Sequence, residues 1–160
     1  MQFTQSMSYP GTVDEVVAMY LTPDYLERRF GRFVVEGSTT VSVEGERVSY
    51  AGTVRPELIP AAAARFVKSD LRVTFTEEWT LNEAEATSRT SVTVDGAPVS
   101  VEATSTLTPS DAGSAREVSG NLSVRVPLLG GRIEKEAVAR VGRLTENEQA
   151  SAAQWLEEHR

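Results

Sequence analysis

The chain has 160 residues, of which 40% are hydrophobic and 24% charged, with a net charge of −7. These proportions suit a single globular domain, 1–160, with one core. The acidic balance opposes phosphate backbones and anionic membranes, so no nucleic-acid partner is expected. The absence of cysteine excludes disulfides, thiolate nucleophiles and cysteine-based metal or iron–sulfur sites.

Gln2 to Tyr9 alternates, with Phe3, Gln5, Met7 and Tyr9 on one face, and predicts a half-buried strand. This N-terminal stretch has neither the basic nor the apolar region of a signal peptide. No apolar run approaches the ~20 residues of a membrane span. A cytoplasmic protein without integral membrane association is therefore expected. Two short helices follow. Thr12 and Glu15 form a capping box, and Val13, Val16, Val17 and Tyr20 make one apolar face. Thr22-Pro23 restarts the helix, and Gly31 is expected to end it. The basic cluster in "ERRFGRF" (Arg28, Arg29, Arg32) suits the C-terminal end of that helix, where cations complement the dipole. A solvated helix end is preferred there over an anion site.

The period then changes to two. Six strands are predicted, at 33–44, 46–55, 70–81, 86–95, 99–108 and 115–126. Glu44-Gly45 and Asp95-Gly96 carry hairpin signals, the second a type I′ candidate. The irregular connection Pro56–Asp70 contains an alanine run that suits a short helix or lid. One strand face is rich in Thr and Ser. The other carries Val48, Tyr50, Val54, Phe75, Trp79, Val92, Val94, Val99, Val101, Val118, Leu122 and Val124. One antiparallel sheet with one face to cover is the consequence.

"VPLLGGRIEK" then opens a helix running to about residue 158. Ile133, Ala137, Val141, Leu144, Ala152 and Trp155 fall within about 100° of arc at the helical period. The stripe is unusual in its small members and in Glu148, which lies near its centre. Gly130-Gly131 lacks the patterns of nucleotide-binding loops, so the glycines are read as a sharp exit from the last strand.

Two carboxylates fall on apolar faces. Glu77 shares a face with Phe75 and Trp79, where a charge is costly unless paired or protonated. It is either a polar anchor or acid/base group in a cavity, or it is turned outward by a bulge or paired with an arginine. Glu148 raises the same choice, with solvent or Arg28/Arg29 as its alternative partners. Tyr50, Trp79 and Tyr9 could each offer one hydrogen bond to a ligand or simply fill volume. His159 is the single histidine, next to the C-terminus, so neither a metal site nor a triad is expected. No cofactor is implied.

The element order (strand, two short helices, six antiparallel strands, long helix) resembles the START-like helix-grip (SRPBCC) superfamily. "FTEEW" (Phe75 to Trp79), "VPLLGGRIEK" (Val126 to Lys135) and Trp155 look more closely like a bacterial domain-of-unknown-function family within it. The resemblance implies an α+β helix-grip fold: a curved seven-stranded antiparallel sheet with a long C-terminal helix across its concave face. It also implies a cavity between them that binds a hydrophobic small molecule or lipid. The residues expected to line that cavity are Tyr50, Val54, Phe75, Glu77, Trp79, Val92, Val101, Leu122, Val124, Ile133, Ala137, Val141, Leu144 and Glu148. No catalytic residue is carried over. An aromatase/cyclase- or hydratase-like enzyme using the two carboxylates and a filled-core, co-chaperone-like protein are the alternatives. Oligomeric state is left open.

Overall fold

The computed structural model of the protein describes residues 1–67 and 69–160. Strand β1 (Gln2–Tyr9) leads into helices α1 (Val13–Tyr20) and α2 (Pro23–Phe30), and a 3-10 turn continues over Gly31–Phe33. Strands β2 (Thr40–Glu44) and β3 (Arg47–Thr53) follow, then a 3-10 turn at Pro56–Leu58 and the short helix α3 (Ala61–Ala64). Strands β4 (Arg72–Leu81), β5 (Ala86–Asp95), β6 (Val99–Ser110) and β7 (Gly113–Val124) precede the long helix α4 (Gly130–Glu158). All seven strands form one antiparallel sheet in the order β1-β7-β6-β5-β4-β3-β2. This is the helix-grip architecture, with β1 returning to pair with the last strand.

The local signals explain most of it. The Thr12/Glu15 capping box is formed in both directions, satisfying two otherwise orphaned backbone N–H groups. Glu44 pairs with Arg47 across Gly45-Glu46, and Gly45 has φ +60°, the left-handed start of a two-residue hairpin turn.

Three expectations need correction. The first predicted strand, 33–44, begins only at Thr40, because the 3-10 turn absorbs Phe33 and only a single bridge, Val34 to Val54, precedes β2. Gly31 does not stop α2 with a left-handed residue; it stays right-handed at φ −55° and passes the chain into the 3-10 turn. Asp95-Gly96 is not a two-residue turn. The ladder ends at Thr93–Ser100, since Pro98 has no N–H to extend it, although Gly96 does take φ +94°. In the Pro56–Asp70 connection the alanine run is helical over four residues, and Lys68 lies outside the described residues.

The core has three parts. Below α1 and the C-terminal half of α4, Tyr9, Tyr20, Tyr25, Trp79, Leu107 and Trp155 pack together. Near β2 and β3, Leu26, Val34, Val48, Tyr50 and Phe75 form a second cluster. Under the start of α4, Leu122, Val124 and Ile133 form a third. Helix α4 spans about 43 Å at ~1.5 Å per residue. It packs on β1, β7 and the two short helices.

Candidate functional site

α4 borders several spaces. One is an apolar cavity of about 240 Å³, bounded by the sheet, the 58–71 connection, the β5–β6 turn and the first two turns of α4. Val54, Leu122, Val124, Ile133 and Ala137 line it, together with Leu58, Ile59, Ala63, Phe66, Leu71, Val94 and Val99. It is open on one side, where Leu58 and Phe66 stand 41% and 47% exposed. The backbone makes this space possible at the strand exit. Gly130 is buried, and a Cβ there would run into the Val124 carbonyl oxygen. Only glycine lets α4 begin so close to the end of β7.

A smaller space is a polar pocket of about 170 Å³ where α2 and the 3-10 turn face α4. Tyr25, Arg28, Arg29, Arg32, Asn147 and Glu148 supply its polar groups, with Leu144 and Phe30 beside them.

Behind the polar pocket lies a buried ionic network. Glu77 is 1% and Arg116 2% exposed. Arg116 donates from Nη2 to Glu77 Oε2 at 2.8 Å and to Ser88 Oγ at 3.2 Å, and from Nε to Ser105 Oγ at 2.9 Å. Thr90 Oγ1 donates to Glu77 Oε2 at 2.8 Å, and Trp79 Nε1 to Oε1 at 3.1 Å. Arg29 bridges the sheet to α4: its Nε lies 2.7 Å from Glu148 Oε1 and its Nη1 3.9 Å from Glu77 Oε1. The Tyr20 hydroxyl donates to Glu148 Oε1 at 3.1 Å and shares a 2.7 Å hydrogen bond with Tyr9. Arg29 and Arg116 both lie over the Tyr20 ring, at 4.9 and 4.8 Å, a contact favourable to cations.

These contacts set the protonation states. Burial pushes the Glu77 carboxyl up, but Arg116, Arg29 and the Thr90 hydrogen bond outweigh it and hold the group below its ordinary value. Burial disfavours the charge on both arginines, and their carboxylate partners more than offset that. Burial, then the nearby Glu148 charge, raises Tyr20 and Tyr25 and keeps both phenols neutral. The network is a closed set of ion pairs, not a carboxyl waiting for a proton.

The expected lining residues therefore divide. Val54, Leu122, Val124, Ile133 and Ala137 meet at the apolar cavity. Tyr50, Phe75 and Trp79 line neither space; they fill core clusters, and the Tyr50 hydroxyl donates to Glu27 Oε2 at 3.1 Å. Val92 packs against the second cluster and Val101 against the third. Glu77 lines neither space and is paired with arginine in an unbroken ladder, without the bulge that would have turned it outward. Leu144, 43% exposed, and Glu148 belong to the polar pocket. Val141 lies between the two on α4, half-buried.

Sequence reasoning offered Arg29 as a partner of Glu148, and the 2.7 Å pair is present; it missed the contact of Arg29 with Glu77, and Arg116 and the hydroxyls of Ser88, Thr90 and Ser105. The signal was present. Arg116 is in phase with Val118, Leu122 and Val124, and Ser88 and Thr90 are in phase with Val92. Arg29 follows Tyr25 and Leu26 at the i+4 and i+3 spacing that puts all three on one helix face.

The fold is shared with solved structures of low sequence identity. A crystal structure of TTHA0849 from Thermus thermophilus superposes with a TM-score of 0.64 at 15% identity, covering 99% of each chain. Ara h 8.0201 superposes with a TM-score of 0.59 at 10% identity, covering 99% of this chain and 98% of that one. In sequence, an uncharacterized protein of Mycobacterium tuberculosis is 27% identical over 166 residues, spanning 96% of this chain and 95% of its own. One of Mycobacterium bovis matches to the same extent. The family described as Protein of unknown function (DUF2505) matches residues 4–156, nearly the whole chain, and the protein belongs to it.

Proposed function

We propose that the protein is a START-like (SRPBCC) binding protein that holds a hydrophobic or amphipathic small molecule or lipid beneath α4. The observation that carries this reading is the apolar cavity of about 240 Å³. Its size equals roughly eight waters at ~30 Å³ each and falls just under the usual range for small-molecule sites. It suits a compact apolar body or one segment of a longer molecule. Small residues keep it open: Ala63, Ala97 and Ala137 stand where larger side chains would close it. The acidic surface and the lack of a nucleotide loop direct the reading to a neutral or amphipathic ligand rather than a polyanion.

A carboxylate enzyme in the same fold finds less support. A general acid needs contact with substrate and a pKa near the working pH, whereas Glu77 touches neither space and is held ionised by two arginines. A filled-core interaction protein would not keep an apolar void at this position.

The test is titration with the neutral fluorophore N-phenyl-1-naphthylamine, alongside native mass spectrometry of gently purified protein. The wild type should bind the dye. Ala137→Phe should weaken it by about tenfold or more while changing stability by less than about 1.5 kcal/mol, because the ring enters open volume. Absence of dye binding by the wild type, or an unchanged affinity in the folded variant, would sink the proposal.

A further inference from the structure

Two residues of the polar pocket's wall each carry a buried donor without a hydrogen bond, although Arg29 Nη1 also faces Glu77 Oε1 at 3.9 Å. The Tyr25 hydroxyl and Arg29 Nη1 are both inaccessible and make no hydrogen bond among the described residues. Tyr25 is fully buried. Leaving a buried donor unmet is costly, because it gives up its hydrogen bonds to water for none in the protein, and both residues belong to the wall of one pocket. The pocket is also cationic within a chain of net charge −7. Arg28, Arg29 and Arg32 line it against the single carboxylate Glu148. Arg28 is engaged with Glu158 at 3.0 Å and Arg29 with Glu148. Arg32 makes no ion pair among the described residues; its guanidinium lies 4.7 Å from the Phe33 ring centroid.

This pocket and the apolar cavity share one helix face. Ala137 belongs to the cavity and Leu144 to the pocket, on the order of 10 Å apart along α4. Val141, between them, is only half-buried, and so are Val92 and Val101, which pair across the inner face of the sheet.

Resting on the proposal that the cavity binds a hydrophobic molecule, we infer that the ligand is an anionic amphiphile of the fatty-carboxylate type. Its acid group sits in the polar pocket against Arg32, Arg29 and Tyr25. Its apolar part passes Val141 and ends in the cavity lined by Ala137 and Ile133. The cluster "ERRFGRF" is then a head-group site, not only a solvated helix end.

The test is displacement of N-phenyl-1-naphthylamine by three twelve-carbon probes below their micellar concentrations: dodecanoate, dodecan-1-ol and dodecyltrimethylammonium. Dodecanoate should bind about tenfold or more tighter than the alcohol, one charge-assisted contact in magnitude. The net charge of the protein favours the ammonium probe, so a carboxylate preference would have to come from the local pocket. In Arg32→Gln the preference should fall below about threefold with the alcohol's affinity unchanged, and Tyr25→Phe should lower it in the same direction. Both variants leave the Glu77–Arg116 pair intact, and circular dichroism checks their folding. Equal displacement by acid and alcohol in the wild type would overturn the anion site while leaving the apolar cavity standing. A full preference retained in both folded variants would overturn its placement. Failure of the dye and of every probe to bind would remove the cavity reading and this one together.

Discussion

Replacing Glu77 with Gln tests what the buried network does. The substitution keeps the shape and a hydrogen-bonding carbonyl for Trp79 or Thr90, but removes the charge. Arg116, 2% exposed, then has no carboxylate at 2.8 Å, and Arg29 loses its second partner at 3.9 Å. Stranding one member of a buried ion pair costs about 3–5 kcal/mol, roughly 6–20 °C in Tm for a chain of this length. The surface pair Arg47–Glu78, at 3.4 Å with both side chains about 60% exposed, provides the contrast: Glu78→Gln should cost less than about 1 kcal/mol. Urea unfolding at pH 7, followed by circular dichroism, measures both. The effect has a defined pH dependence. The folded carboxyl titrates below its unfolded value, near pH 4.3 for glutamate. Its contribution is therefore complete above that value and is lost as the pH falls through the lower folded one. Wild type and Glu77→Gln should converge in stability in acid below about pH 4. A cost under about 1 kcal/mol at pH 7, or a gap that stays constant into acid, would refute the assignment of Glu77 as an ionised, paired group.

The joint between β7 and α4 gives a second comparison. Gly130→Ala places a Cβ against the Val124 carbonyl, a backbone atom that cannot give way cheaply, and should cost about 1–3 kcal/mol. Gly131→Ala meets nothing within 4 Å inside the helix and should stabilise by up to about 1 kcal/mol. Thermal unfolding decides both, and equal effects would contradict the proposed strand exit. Leu128, with φ +68° and fully exposed, carries left-handed strain of about 1–2 kcal/mol. Leu128→Gly should therefore raise Tm, and a lowered Tm would show that the leucine side chain has a packing role.

The layers of the fold were legible because each depends on a local rule. Period-two alternation identified β3 to β7, the Thr12–Glu15 box fixed the start of α1, and the stripe from Ile133 to Trp155 placed α4 against the sheet. The failures occurred where one local signal competed with another. Phe33 and Val34 alternate well enough for a strand, but the helix ahead of them winds on through a 3-10 turn because Gly31 remains right-handed. The candidate site was legible only in its apolar half. Val54, Leu122, Val124, Ile133 and Ala137 were placed by periodicity, but the division between filled and open interior depends on tertiary spacing that no window of sequence contains. Tyr50, Phe75 and Trp79 have the same pattern as the cavity residues and differ only in what lies across from them. Glu77 stood out as an anomaly because a lone charge interrupts an apolar series. Arg116 did not, because its strand begins among polar residues and its phase becomes visible only with Val118 and Leu122 in view.

The two unusual features of α4 have different consequences at its two ends. Toward the C-terminus, Ala152, Trp155 and Leu156 are buried against the tyrosines, and Glu148 ties the helix to Arg29 and Tyr20. Toward the N-terminus, Ala137 borders the apolar cavity, and it and Val141 are only half-buried. A helix fixed along one half and loosely supported along the other can border a void without losing its position, because the packed half and the ion pairs supply the anchoring that the small residues give up. Packing interactions and charged contacts thus need not compete for the same residues. The polar network positions the helix, the small-residue stripe leaves the volume beneath it, and the arginines at the junction are where a charged end of a bound molecule would meet both.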